Sequence, residues 1–296
     1  MKDFLMPFAL IHCFFVATLN GQVETLIPAQ PEVIIVNTGQ LDGFQNLEAG
    51  NFNLAVEQFD QLLEQRPNYI SALIGKAKSL FQLSEYQEAY DTYLKVLKIN
   101  ASDVNSLEGL GNSALFLEQT DLALTYFKKA LDLTPNNGQV YHGIAVSQLC
   151  KNDYLNAAES AKMASLMFNK QGKEAPYSLI LAYFSYAQID DKENMQHVLT
   201  YSKNLNLTGT WPAQIIRFIK GDIKSSELLS RVQSEKEEIE AHTYIGLKLK
   251  YEEQFQASEM HLNWVENFNK NDVLETLIAK HILKQSKETI SHAFHY

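Results

Sequence analysis

Along the middle of the chain, small and aromatic residues return at a fixed interval. Ala55, Ala89, Ala123 and Ala157 stand 34 residues apart. Four positions after each come Phe59, Tyr93, Phe127 and Ala161, and three further on Leu62, Val96, Ala130 and Ala164. Three positions before each alanine stand Phe52, Tyr86, Thr120 and Tyr154, and twelve before it Gly43, Ala77, Gly111 and Ala145. Pro67 and Pro135 close two of the periods, where Ala101 and Asn169 stand in the others. Steps of three and four place these residues on single helix faces, so each period reads as two helices. A small side chain on each helix lets the two backbones approach. An aromatic fills the space left between one pair and the next, and proline ends the second helix because it cannot continue the hydrogen-bond ladder.

This register resembles the tetratricopeptide-repeat (TPR) family over residues 36–171. The resemblance implies an all-α, right-handed solenoid of antiparallel helix pairs whose first helices line a concave groove. Such arrays bind peptides or proteins. The regular array is expected over 39–171, with a linker over 22–38 containing Pro28 and Pro31.

The second half of the chain is less regular. Residues 172–206 read as a degenerate helix pair, with Leu181, Ala182, Phe184 and Tyr186 in its first helix and the register slipped by a few residues. In a C-terminal block over 207–285, Thr210 is placed to cap a helix, Trp211 to staple its start, and Pro212 to occupy its first turn. Ile215, Ile216, Phe218 and Ile219 give that helix its apolar face, and Gly221 ends it. A short helix from Ser225 or Ser226 follows, then a last repeat-like pair carrying Gly246, Phe255, Ser258, Leu262 and Val265. A final helix from Asn271 to Gln285 is expected to cap the open end of the solenoid, leaving 286–296 as a tail. The run from Trp211-Pro212 through Ser225-Ser226-Glu227-Leu228-Leu229 to Tyr244-Ile245-Gly246 resembles the C-terminal part of the new lipoprotein I type of TPR envelope adaptor. That resemblance implies an adaptor of the bacterial cell envelope, with an envelope protease or assembly factor as partner.

The N-terminus has a different character. Phe4 to Leu19 is almost wholly apolar, follows Lys2, and leads into Asn20-Gly21. It reads as a secretory signal peptide over 1–21, cleaved near Gly21 or kept as an anchor, and predicts an exported, periplasmic or envelope-associated protein. Cys13 follows His12, where a lipobox requires a small residue, so lipidation is not expected. Cys150 would be the one cysteine of the mature chain, a small core or groove residue.

The formal net charge of −10, from 25 basic and 35 acidic residues, comes without any run of Lys and Arg that could track phosphates. Nucleic acid is therefore not an expected partner. The histidines are scattered singly and form no zinc-spaced pair, so no metal is expected. Phosphate-loop, dinucleotide and nucleophile-elbow motifs are missing from the chain, which predicts a non-enzymatic protein without cofactors. The cluster Glu235, Glu237, Glu238 and Glu240 reads as a solvated helix start.

What remains is the groove. Its expected contacts are Lys78, Phe81, Asn105, Asn112, Leu115 and His142, flanked by Ser71, Gln82, Glu108, Gln139, Val146 and Leu149. Amides can pair with the backbone of an extended peptide while the apolar groups hold its side chains. Three readings follow: an envelope scaffold or adaptor, a regulatory subunit of an envelope hydrolase or assembly machine, and a self-assembling structural repeat protein.

Overall fold

A computed structural model describes residues 38–268 and 273–293, with side chains over 42–268 and 273–286. The expected signal segment over 1–21 and nearly all of the expected linker over 22–38 lie outside the described residues. Among the described residues there are fifteen α-helices and no strand. The regular array pairs α1 (Thr38–Glu48) with α2 (Phe52–Gln65), α3 (Ile70–Gln82) with α4 (Tyr86–Ile99), α5 (Val104–Phe116) with α6 (Thr120–Leu133), and α7 (Gly138–Leu149) with α8 (Tyr154–Lys170). The degenerate pair is α9 (Pro176–Ala187) and α10 (Lys192–Tyr201). Then come α11 (Trp211–Lys220), α12 (Ser225–Leu229), the pair α13 (Glu235–Tyr251) and α14 (Phe255–Asn267), and α15 (Leu274–Ala293). No described helix is long and apolar enough to cross a membrane.

The turn inside each pair is built the same way every time. Gly50, Ser84, Glu118 and Asn152 have φ of +78°, +63°, +59° and +63°, 34 residues apart. The next amide then bonds back to a carbonyl five residues earlier, as from Glu85 to Leu80 at 2.9 Å and from Gln119 to Ala114 at 2.8 Å. This is the Schellman closure, which satisfies carbonyls that the helix end leaves free. The next such residue is Asp190, 38 positions after Asn152, which locates the register slip at four residues.

Packing follows the 34-residue code. Ala55, Ala89, Ala123 and Ala157 are fully buried, as are Phe59 and Phe127. First helices of neighbouring pairs also touch, α1 on α3, α3 on α5, α5 on α7 and α7 on α9. In the C-terminal block Ser258 Oγ donates to the Gly246 carbonyl at 2.7 Å, and a Cβ on Gly246 would stand 2.6 Å from Leu262. This is the same close crossing in a divergent pair. Thr210 takes the N-cap position of α11 without capping it; its hydroxyl donates to the Leu207 carbonyl instead. Gly221 ends α11 with φ +82°, a conformation that suits glycine.

The last helix departs from expectation twice. It continues to Ala293, so most of the expected tail is helical. It also does more than cover an open end. Besides α13 and α14, α15 packs on α7. Glu275, near its start, shares a cavity with Gln139 and His142 at the start of α7. Further along, His281 Nε2 is 2.9 Å from Asn152 Oδ1, and Tyr154 Oη donates to Gln285 Oε1 at 3.1 Å, just past the end of α7. The two helices therefore run side by side in the same direction. Ile278, Ala279, Ile282 and Leu283 join Val146 and Leu149 in one core.

Candidate partner-binding site

The expected groove residues divide into three groups. Lys78 and Asn105 are exposed, and Asn112 is half-buried. Phe81 is also half-buried, held edge-on by Tyr86 at 5.1 Å and by Phe116 at 5.3 Å. Leu115 is not available as an apolar contact. It is 2% exposed and belongs to the main core, as do Val146 and Leu149 at 1% each. These leucine and valine side chains are apolar, and the tertiary fold covers them.

Along α3 and α5 the open face carries charge as well as amides. Asp103 caps α5 through the Ser106 amide at 2.8 Å and so fixes where the helix begins. Glu108 accepts from the Asn137 side chain at 3.1 Å. Burial pushes its carboxyl pKa up, opposed by that hydrogen bond and by the charge of Lys78.

His142 lies deeper. Its Nδ1 is 3.0 Å from Ser178 Oγ, and burial pushes the imidazole down to about 4, so it is neutral at physiological pH. It lines a cavity of about 500 Å³ that collects residues from several first helices and from the start of α15. Gln82, Gln139 and Tyr177 line the same space, together with Glu240 and Glu275.

Glu240 overturns its sequence reading. Rather than sitting on a solvated helix start, it is 1% exposed. Tyr177 Oη and Trp211 Nε1 both donate to its Oε2, at 2.9 and 2.8 Å. Lys236 Nζ is 3.7 Å from its other oxygen, with the lysine side chain mostly in solvent. Burial first, and the neighbouring Glu275 second, push the Glu240 carboxyl up to about 7. Glu275 is buried too and accepts from Tyr244 Oη at 2.7 Å. The one signal available in the sequence was spacing: Glu240 precedes the apolar position Tyr244 by four residues, which places both on the same helix face. Cys150 is half-buried against the core, and burial pushes its thiol up to about 12, as befits a packing residue.

With this geometry in place, comparison with known proteins gives a consistent fold assignment. Tetratricopeptide-repeat family models match residues 46–104 and 104–137. The chain is 25% identical over 134 residues to the phagocyte signaling-impaired protein of Drosophila pseudoobscura pseudoobscura, covering 45% of this chain and 14% of that protein. It is 24% identical over 176 residues to the CTR9 homolog of Arabidopsis thaliana, covering 56% of this chain and 16% of that protein. The match thus spans about a sixth or less of the length of these curated relatives. Among solved structures, MamA (residues 41 to the end) from Desulfovibrio magneticus RS-1 aligns at a TM-score of 0.51 and 17% identity, over 57% of this chain and 96% of that one. Repeat register, helix pairing and family match converge: residues 46–137 are tetratricopeptide repeats, and the described chain has the all-α fold of a tetratricopeptide-repeat solenoid.

Proposed function

We propose that this chain is a non-catalytic scaffold or adaptor of the cell envelope that holds an extended polypeptide along the concave face of α3 and α5. The observation that carries the reading is the placement of α15. That helix already lies along α7, so the face left open is the one bearing Ser71, Lys78, Gln82 and Asn105, all exposed. Amides there can bond a peptide backbone, Phe81 offers a partly exposed ring, and Lys78 can meet a carboxylate. His142 sits at the far end of this face, in the cavity beneath α15. The envelope location rests on the Phe4–Leu19 run and on the resemblance of residues 208–285 to envelope adaptors; an envelope protease or assembly factor is the partner class this favours.

Photocrosslinking tests the site. A benzophenone amino acid at Ser71 should give a discrete adduct in envelope extract, and Asn105→Ala with Asn112→Ala should abolish it while helix content is retained. One at Leu155, exposed on the second helix α8, should give none. Equal adducts from Leu155, or none from Ser71, would rule out the groove. Export has its own test: an intact Met1 on a native protein recovered soluble from the cytoplasm would refute it.

A further inference from the structure

Outside the groove, the last repeat-like pair carries an arrangement with no counterpart in the regular array. His242 on α13 and His261 on α14 face each other across the hairpin, their Nδ1 atoms 3.1 Å apart. Their ring centroids are 4.8 Å apart at 49°. Trp264 stacks on His242 at 4.0 Å and 19°, and Phe268 stacks on Trp264 at 4.7 Å. Both imidazoles are half-buried, so water reaches them.

From this geometry we propose that His242 and His261 form a two-histidine chelate for a divalent transition-metal ion of the zinc or nickel class. Imidazole nitrogens bind such ions at about 2.0–2.1 Å. With an ion about 2.1 Å from two nitrogens 3.1 Å apart, the angle at the ion is about 95°, close to the right angle between cis ligands of an octahedral sphere. The pair now shares one proton in an Nδ1–H···Nδ1 hydrogen bond, which needs opposite tautomers on the two rings. Metal binding asks that the donor ring move its proton to Nε2, after which both Nδ1 lone pairs are free. Small ring rotations turn them toward a common point beside the nitrogen–nitrogen line. The stacked rings of Trp264 and Phe268 hold His242 in orientation, as an outer shell does for a metal ligand. Among the described residues no third His, Cys, Asp or Glu joins the pair. The remaining positions of the ion are therefore open to water or to a side chain of a bound partner.

The stacked indole provides the readout. The chain has two tryptophans, and Trp211 lies in a different part of the block. Titrating the untagged full-length protein with nickel chloride should quench tryptophan emission saturably, with one ion per chain by calorimetry. Both His242→Asn and His261→Asn should weaken binding at least tenfold with helix content unchanged, whereas Trp264→Phe should keep the ion and lose most of the quenching. Binding equally tight in both histidine variants, or no ion bound, overturns the proposal. If either variant unfolds, the unaltered protein still decides. Zinc chloride should shift the Nδ1 resonances of two imidazoles in nitrogen-15 NMR, and two unmoved resonances would overturn the chelate.

Discussion

The ring of Phe127 rests on the bare Cα of Gly143 in the next repeat, so closely that a methyl group there would stand 2.5 Å from the ring. The same ring meets Gly111 in its own repeat, again 2.5 Å from where a Cβ would be. Phe59 does likewise between Gly43 and Gly75. In the first and third repeats one aromatic thus locks two first helices together through paired glycines, which is how a one-dimensional array transmits stability between neighbours.

Gly143→Ala should therefore destabilise the array. Overpacking costs about 1–3 kcal/mol, while the better helix propensity of alanine returns up to about 1 kcal/mol. Ala123→Leu, at a fully buried crossing, should cost a similar 1–3 kcal/mol or so without that return. Thermal melts followed by circular dichroism measure both, and unchanged midpoints would mean that the rings do not seat as described.

Glu240 makes stability depend on pH. Its folded pKa of about 7 lies above the value of about 4.3 for a free side chain, so between these values the folded state holds a proton that the unfolded state releases. Stability from this group is therefore lost as pH rises through that window, and the loss is complete above about pH 7. Glu240→Gln keeps an acceptor for Tyr177 and Trp211 without the charge. It should exceed the parent in stability by about 1–3 kcal/mol at pH 8 and by much less at pH 5. Denaturant titrations at the two pH values check this; an equal difference at both would exonerate the Glu240 charge.

Trp211 is half-buried, and its Nε1–H is one of two donors to Glu240 Oε2. Trp211→Phe removes that donor while keeping a ring. The lost hydrogen bond to an ionised carboxylate should cost about 1.5–3 kcal/mol at pH 8, and less at pH 5 where Glu240 is protonated. A loss independent of pH would reduce the role of Trp211 to packing.

For Cys150, a thiol pushed up to about 12 stays protonated at pH 8 and reacts slowly. Iodoacetamide should modify its peptide at least tenfold more slowly in the native protein than in denaturant, read by mass spectrometry. Equal rates would place the thiol in water.

The sequence by itself determined the repeat. Spacing of small and aromatic residues is a local property, repeated every 34 positions, and Ala55, Ala89, Ala123 and Ala157 are buried where that register places them. Helix α11 was legible for the same reason, through Pro212, its apolar stripe and Gly221. Only the tertiary structure decided what each exposed-looking face meets. Leu115, Val146 and Leu149 occupy groove positions by register, yet α15, separated from them by more than a hundred residues, joins them in a single core. Glu240 looks like a solvated helix start until Tyr177 and Trp211 close over it. His242 and His261 are single histidines in the chain and neighbours only in space. Periodicity says which side of a helix is apolar or polar. It carries no information about which distant segment will cover that side, because that is set by how far the superhelix curls and by where its last helix finds apolar surface to bury.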